Sequence, residues 1–181
     1  ILYVPQDNRP VSLSYTVDTA RGAGYTVITP PEHLISGSNY HGEADQIWSW
    51  VDENAARADI MVLSTDTLIY GGLVDSRKHD LALPTLLNRT KSIELLHKKY
   101  PRVPIYAFGT VMRSPRASGG GVEPSYYDSY GPTIFRIAAL QDKLDSEGLS
   151  EEEQKDLFSL QATVPVEFLQ DWFNRRQKNM A

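Results

Sequence analysis

The chain has 181 residues, of which 41% are hydrophobic, so it can bury one core or one core with an appended segment. Its formal net charge of −5 argues against binding to nucleic acid or an anionic membrane, and no apolar run approaches the roughly 20 residues that a membrane helix needs. Cysteine is absent, which excludes disulfides, thiolate nucleophiles and cysteine-ligated zinc.

Apolar, strand-like runs alternate with helical patterns through the first part of the chain. In chain order we predict a strand over 1–5, a helix over 12–21, a strand over 25–29, a helix over 44–57, a strand over 59–64, a helix over 83–100 and a strand over 103–109. This alternation is typical of consecutive βαβ crossovers. The predicted fold is α/β, with a parallel, doubly wound (Rossmann- or flavodoxin-like) sheet of about four or five strands. A partial (β/α) barrel is the alternative.

The remainder of the chain changes character. Residues 114–131 are rich in glycine and tyrosine, and we expect a long loop that either closes over a substrate or is simply mobile. Beyond this loop the pattern becomes helical, with a capping-box signal between Ser150 and Glu153. We therefore expect a parallel α/β domain over 1–131 and a helical extension over 132–181.

Polar residues follow the first predicted strand. Asp7, Asn8 and Arg9 bring a carboxylate, an amide and a guanidinium together, a set that can bind a polyhydroxylated or anionic substrate. In open parallel sheets the ligand crevice lies beyond the carboxyl ends of the strands, so this position favours function. The alternative is an Asx-type turn in which Arg9 pairs with a neighbouring acid.

A second polar motif follows the strand over 59–64. It contains Thr65 and Asp66, and the loop beyond it carries Tyr70 and Arg77. If the two strands are neighbours, Asp66 shares a crevice with the carboxylate of the first motif. Two carboxylates are the components of acid/base or glycosidic chemistry, and also of a hard-cation site. The alternative for Asp66 is N-capping of a short helical turn.

Arginines follow the last predicted strand. Arg113 and Arg116 favour binding of a carboxylate, phosphate or sugar, with surface ion pairing as the alternative. The histidines show no metal-ligand spacing, although His41 and His79 are candidate acid/base groups in nearby loops. Neither a dinucleotide fingerprint nor a Walker A loop is present, and we predict no cofactor and no metal ligand.

Three segments together resemble a bacterial family of unknown function, DUF4127. They are I-L-Y-V-P-Q-D-N-R-P at 1–10, S-T-D-T-L-I-Y-G-G-L-V-D-S-R at 64–77 and F-N-R-R-Q-K-N at 173–179. The resemblance runs through the whole sequence. Because members of the family are longer chains, it implies that this sequence is the N-terminal portion of one.

The family usually opens closer to P-L-D-D-R-P. Asp7, Arg9 and Pro10 match this pattern, whereas Gln6 and Asn8 depart from it. The change at Asn8 removes one possible carboxylate, which weakens a metal-site interpretation. The resemblance implies a fold and a set of motif residues, but it supplies no reaction.

Our leading hypothesis is a hydrolase domain for a carbohydrate-like substrate, with Asp7 and Asp66 as the carboxylate pair. We expect these two residues to share one sheet edge with Arg9, Arg77 and Arg113. The remaining predicted substrate-binding residues are Asn8, Thr65, Tyr70 and Arg116.

Two alternatives stay open: a non-catalytic module for a sugar or anionic small molecule, and a divalent-metal-dependent phosphate or ester hydrolase. The expected partners are a small-molecule or sugar substrate and the rest of a longer chain, with no nucleic acid and no membrane. The compartment stays open between cytoplasm and secretion.

Overall fold

In the computed structural model, which describes residues 1–113, 115 and 121–180, the chain divides into two compact units. The first, Ile1–Thr110, is a mixed α/β unit built on a small parallel sheet. The second, Val111–Ala181, is helical in its described part. Most of the predicted site residues belong to the first unit.

The sheet is an open row of three short strands, all of them parallel. In spatial order the strands are β1 (Leu2–Val4), β2 (Met61–Ser64) and β3 (Ile105–Phe108). The register places Val4 beside Leu63, and Leu63 beside Ala107. The carboxyl ends of the strands therefore lie at one edge of the sheet, where the polar motifs begin.

The strand predicted over 25–29 is not formed, and the sheet is smaller than predicted. Among the described residues, a single bridge between Leu2 and Ile28 joins this segment to β1. The Tyr3 N–H donates to the Ile28 carbonyl, and the Ile28 N–H donates to the Ile1 carbonyl, each at 2.9 Å. The ladder stops there because β1 is only three residues long and the two prolines that follow the segment have no N–H to donate.

The first unit also contains helices. They are α1 (Ser14–Gly22), α2 (Ala44–Asn54), α3 (Asp75–Lys78) and α4 (Leu83–Lys99). Short 3₁₀ turns occupy Glu32–Leu34 and Ala55–Arg57, and a π-helical turn occupies Asp66–Tyr70. The helices predicted from apolar spacing correspond to α1, α2 and α4. The π-helical turn falls where a short helical turn is the alternative considered for Asp66, and α3 falls where no helix is predicted, because neither segment has an apolar period.

Apolar side chains alternate along β1 and β2, so helices pack on both faces of these two strands, whereas Tyr106 and Phe108 of β3 are exposed. One face packs against α2 and α4 in a cluster that includes Leu2, Val4, Ile47, Val51, Met61, Leu63 and Leu96. The other face packs against α1 in a cluster that includes Tyr3, Val17, Val27 and Val62. Each fully buried aliphatic side chain stabilises the fold by roughly 1.5–3 kcal/mol. This two-sided core holds the strand ends in place.

In its described part, the second unit contains three helices with their own core. The helices are α5 (Tyr127–Ser146), α6 (Glu151–Thr163) and α7 (Val166–Met180), and the core includes Tyr127, Ile134, Ile137, Leu140, Leu157 and Trp172. The predicted capping box begins α6. Ser150 Oγ accepts from the Glu153 N–H at 3.3 Å, and Glu153 Oε2 accepts from the Ser150 N–H at 3.0 Å.

Helix α5 begins earlier in the sequence than the helical pattern indicates. Its first residue is Tyr127, because Tyr126 stacks on Phe168 with ring centroids 4.9 Å apart and anchors the start of the helix to α7. The domain bounds predicted from the sequence, 1–131 and 132–181, remain a prediction.

Candidate functional site

A buried carboxylate, Asp66, joins the ends of the three strands. The residue is 1% exposed, although it lies just beyond β2 at the edge of the sheet. Its Oδ2 accepts hydrogen bonds from Gln6 Nε2 at 2.7 Å and from the Thr110 N–H at 3.0 Å, and its Oδ1 accepts one from Thr110 Oγ1 at 3.0 Å. Gln6 follows β1 and Thr110 follows β3, so one side chain ties all the strand ends together.

The turn after β2 explains why the Asp66 side chain points toward the neighbouring strands. The fully buried Thr67 hydroxyl donates to the carbonyls of Pro5 at 2.6 Å and Gln6 at 3.1 Å. The Thr67 N–H donates to Ser64 Oγ at 3.3 Å. The Asp66 oxygens accept from Gln6 and Thr110, so the N-capping alternative for Asp66 does not describe the turn.

Thr65 braces the end of β2 against the end of β3. Its hydroxyl donates to the Phe108 carbonyl at 3.2 Å. The next residue on that side is Gly109, where a Cβ would lie 1.9 Å from Thr65 Oγ1. The close approach therefore requires glycine. Thr65 has a structural contact at the position where the sequence predicts substrate binding.

Asp7 is buried and pairs with the arginine of its own motif. Its Oδ1 accepts from the Arg9 N–H at 3.1 Å, and its Oδ2 accepts from Arg9 Nε at 2.8 Å and lies 2.7 Å from Nη2. This hydrogen bonding raises the pKa of the Arg9 guanidinium above its ordinary value. The arrangement matches the Asx-type turn considered above as the alternative. The Arg9 side chain nevertheless remains 51% exposed and can still reach a ligand.

Asn8 connects the same motif to the loop before α2. Its N–H donates to the Ser36 carbonyl at 2.9 Å, and its Nδ2 donates to the Tyr40 hydroxyl at 2.6 Å. The Asn8–Tyr40 hydrogen bond is exposed, so both groups are accessible from solvent. The first motif is therefore a rigid turn with an exposed guanidinium and an exposed amide.

A third buried carboxylate, Asp75 at the start of α3, contacts His41. Asp75 Oδ1 contacts His41 Nδ1, and Asp75 Oδ2 accepts from the Gly42 N–H at 3.3 Å. The side chain of Asp75 is 6% exposed, whereas that of His41 is 86% exposed. The sequence marks His41 as a candidate and misses Asp75. The signal that could have found Asp75 is the glycine pair Gly71 and Gly72 shortly before it, since adjacent glycines permit a close backbone approach.

A cavity of about 270 Å³ opens beside this pair. Tyr70, a predicted binding residue, lines it, and its ring lies 4.9 Å from that of His79. Arg89 lines another part of the cavity and pairs with Asp45 at 2.9 Å. The predicted binding residue Arg77 belongs to α3 and is partly buried.

The arginines predicted after the last strand lie outside the α/β unit. Arg113 belongs to the second unit, where its Nε donates to Glu123 at 2.9 Å. This hydrogen bond raises the pKa of the Arg113 guanidinium. The contact is the ion pair considered as the alternative for Arg113, although Glu123 is buried rather than on the surface. Arg116 lies outside the described residues.

Residues after all three strands thus meet at one edge, but the carboxylates differ in their partners. Asp7 pairs with a cation, and Asp66 accepts from neutral groups. Sequence reasoning did not foresee Gln6 or Thr110 as partners of Asp66. In residues 1–113, 115 and 121–180, no group of three or more histidine, aspartate and glutamate side chains is arranged to hold a metal ion.

Comparison with known proteins identifies a family. A family model described as "Protein of unknown function (DUF4127)" matches residues 1–181. No curated protein and no solved structure matches the chain. In the part of the chain that the structure describes, no helix combines the length and apolar character that crossing a bilayer requires.

Proposed function

Because this chain belongs to the DUF4127 family, whose description names no activity, we propose its function from the site: a hydrolase domain for a carbohydrate-like substrate. The substrate would lie at the carboxyl edge of the sheet. Asp7 and Asp66 form the carboxylate pair of this proposal.

The path of the chain supports this location. After β1 the chain passes to the segment around Ile28 on one side of β1, and it then returns to β2 on the other side. Together with helices on both faces of β1 and β2, this reversal supports a doubly wound arrangement. In such sheets ligands bind at the carboxyl ends of the two strands that flank the reversal, which here are β1 and β2.

The observation that carries the proposal is the environment of Asp66. Its partners Gln6 and Thr110 are uncharged, so within this hydrogen-bonded group no cation neutralises the carboxylate. Gln6 is partly exposed, and a substrate hydroxyl that replaces its amide would reach Asp66 Oδ2. Asp66 then acts as nucleophile or base, as one member of a glycosidase carboxylate pair does.

Asp7 supplies the second carboxylate in this proposal. Through its pair with Arg9 it also fixes an exposed guanidinium beside the substrate. A guanidinium can donate several hydrogen bonds in a fixed geometry, which suits adjacent sugar hydroxyls. Asn8, Tyr70 and Arg77 would complete the binding groups of the first unit.

The test replaces each carboxylate by its amide. Asp66→Asn and Asp7→Asn are assayed on a panel of aryl glycosides and oligosaccharides beside Asp52→Asn, whose parent residue forms an exposed pair with Lys99. We expect Asp66→Asn to lower kcat by about 100-fold or more, since positioned acid/base groups contribute factors of about 10² to 10⁴. Asp52→Asn should match the parent protein. Equal turnover by all variants, or no turnover by the parent on any substrate, contradicts the proposal.

A binding module is the second candidate, and one contact favours it. Both oxygens of Asp7 are already engaged by Arg9, which leaves the guanidinium, rather than the carboxylate, to meet a ligand. This candidate predicts a rise in Tm with a sugar or small anion, because a ligand that binds only the folded state stabilises it. The Arg9→Ala variant should lose that rise, and no substrate of the panel should be turned over.

Chelation separates the proposal from the metal-dependent alternative. Turnover of the preferred glycoside should be unchanged after treatment with EDTA, because the proposed chemistry uses carboxylates and water. Loss of activity that a divalent cation restores would favour a metal-dependent phosphate or ester hydrolase instead.

A further inference from the structure

We propose that His41 and Asp75 form a second catalytic centre, in which His41 activates water to hydrolyse a small ester of a neutral or cationic alcohol. The inference starts from the unequal exposure of the pair. Asp75 is buried and His41 is almost fully exposed, with side-chain exposures of 6% and 86%. Both oxygens of Asp75 meet consecutive residues, since Oδ1 contacts His41 Nδ1 and Oδ2 accepts from the Gly42 N–H at 3.3 Å.

This contact determines what the imidazole can do. A carboxylate against Nδ1 keeps the proton on that nitrogen and leaves the lone pair on Nε2. Because the ring is exposed, Nε2 of His41 is accessible to water or substrate. A buried carboxylate that orients an accessible imidazole is the arrangement of a general base. An ordinary surface ion pair differs from it, because neither of its side chains is buried.

The backbone around the pair is packed so closely that several positions require glycine. A Cβ on Gly42 would lie 2.0 Å from the Gly71 carbonyl oxygen, and a Cβ on Gly72 would lie 1.8 Å from Ser36 Oγ. Gly71 has a φ of +109°, which L side chains rarely adopt. These contacts press the loop that carries His41 against the segment that leads to Asp75. The backbone next to His41 is therefore closely packed, and the imidazole itself is held by its contact with the carboxylate.

The neighbouring cavity defines the class of substrate. At about 270 Å³ it accepts a small molecule rather than a polymer. The acids in its lining include Glu43, Asp45 and Asp75. The guanidinium in the lining, Arg89, is held by Asp45 at 2.9 Å. This excess of negative charge disfavours phosphate esters and carboxylates and suits neutral or cationic groups.

The reaction follows from an oriented imidazole acting on water. His41 Nε2 takes a proton from water while the water oxygen attacks the ester carbonyl carbon. The bond between that carbon and the alcohol oxygen then breaks, and the imidazolium returns the proton to the departing alkoxide. The products are a carboxylic acid and an alcohol, and no co-reactant is needed. Asp75 is a positioning residue in this scheme, since it acts through His41.

The experiment uses His41→Ala, with His97→Ala as the matched control because His97 is an exposed histidine on α4. The probes are para-nitrophenyl acetate, which is neutral, acetylcholine, which is cationic, and para-nitrophenyl phosphate, which is anionic. We expect His41→Ala to lower ester hydrolysis by about 100-fold and His97→Ala to leave it unchanged. The phosphate should not be hydrolysed. Failure of the parent to hydrolyse either ester, or equal rates for the two variants, overturns the proposal.

Asp75→Asn tests the positioning role. An amide that donates to Nδ1 would leave the proton on Nε2, so kcat should fall while KM changes little. A rise in KM with unchanged kcat would overturn the role of Asp75. Glycoside turnover and ester hydrolysis are separate readouts, so the two proposed sites fail independently.

Discussion

Asp66→Asn should destabilise the α/β unit measurably, even though the two side chains have the same size and shape. The carboxylate accepts hydrogen bonds from Gln6 Nε2, the Thr110 N–H and Thr110 Oγ1. A hydrogen bond to a charged group contributes about 1.5–3 kcal/mol and a neutral one about 0.5–1.5 kcal/mol, so each bond loses about 1 kcal/mol on neutralisation. Because the Thr110 hydroxyl can reverse and accept from the new amide, the expected loss is about 1–3 kcal/mol in the free energy of unfolding.

Asp66→Ala should cost more, about 3–5 kcal/mol, because it leaves partly buried donors without an acceptor. Urea unfolding followed by tryptophan fluorescence measures both variants. Trp48 is a suitable reporter, since its Nε1 donates to the Leu68 carbonyl at 2.8 Å within the turn that begins at Asp66. Asp52→Asn, which alters an exposed pair, should stay within about 0.5 kcal/mol of the parent. An Asn variant as stable as the parent, or an Ala variant no less stable than the Asn variant, would contradict the role of Asp66 in joining the three strand ends.

Three further changes probe other contacts. Gly72→Ala should destabilise by about 2 kcal/mol or more by overpacking, because its Cβ would lie 1.8 Å from a buried hydroxyl, whereas Gly22→Ala, with open space around it, should be neutral or stabilising in thermal unfolding. Thr67→Val should cost about 1–3 kcal/mol in urea unfolding because it removes the hydroxyl that donates to two carbonyls, and Thr67→Ser should recover most of that loss. The pKa of Glu153 is lowered from 4.5 to about 2, mainly by the hydrogen bond from the Lys143 ammonium and secondly by the capping-box hydrogen bond from the Ser150 N–H. The stability that ionised Glu153 contributes is therefore present above pH 4.5 and is lost as the pH falls toward 2. Lys143→Met should flatten this part of the pH dependence of Tm; an unchanged profile would contradict the assignment.

Much of the fold could be predicted because its main elements have strong local patterns. Local apolar patterns in the sequence predict three of the helices and all three strands of the sheet: α1, α2, α4, β1, β2 and β3. The segment over 25–29 has the same local pattern but pairs at Ile28 through one bridge, since pairing depends on the length of the neighbouring strand. The π-helical turn over Asp66–Tyr70 depends on distant contacts such as those of Thr67, which no local pattern carries.

The candidate site was predictable in position and less so in its contacts. Because strands of a parallel sheet end at one edge, the sequence could place Asp7 and Asp66 at the same edge, whereas the adjacency of β1 and β2 is given by the strand order of the structure. The partner of Asp7 is local, and the turn with Arg9 was foreseen as an alternative. The contact between His41 and Asp75 joins two loops that are far apart in sequence, and no spacing rule connects them.

The strand register has a consequence for how the protein folds. Leu2 pairs with Met61, and Met61 pairs with Ile105, so no strand meets its partner until a long stretch of chain has been ordered or closed into a loop. Contacts of such high sequence separation slow folding, whereas neighbouring helices such as α5 and α6 can form locally. During synthesis β1 leaves the ribosome before β2, so β1 cannot pair until β2 has emerged. The sheet is therefore expected to be the slowest part of the molecule to fold. The hydrogen bonds from Thr110 to Asp66 can form only after β3 has paired with β2.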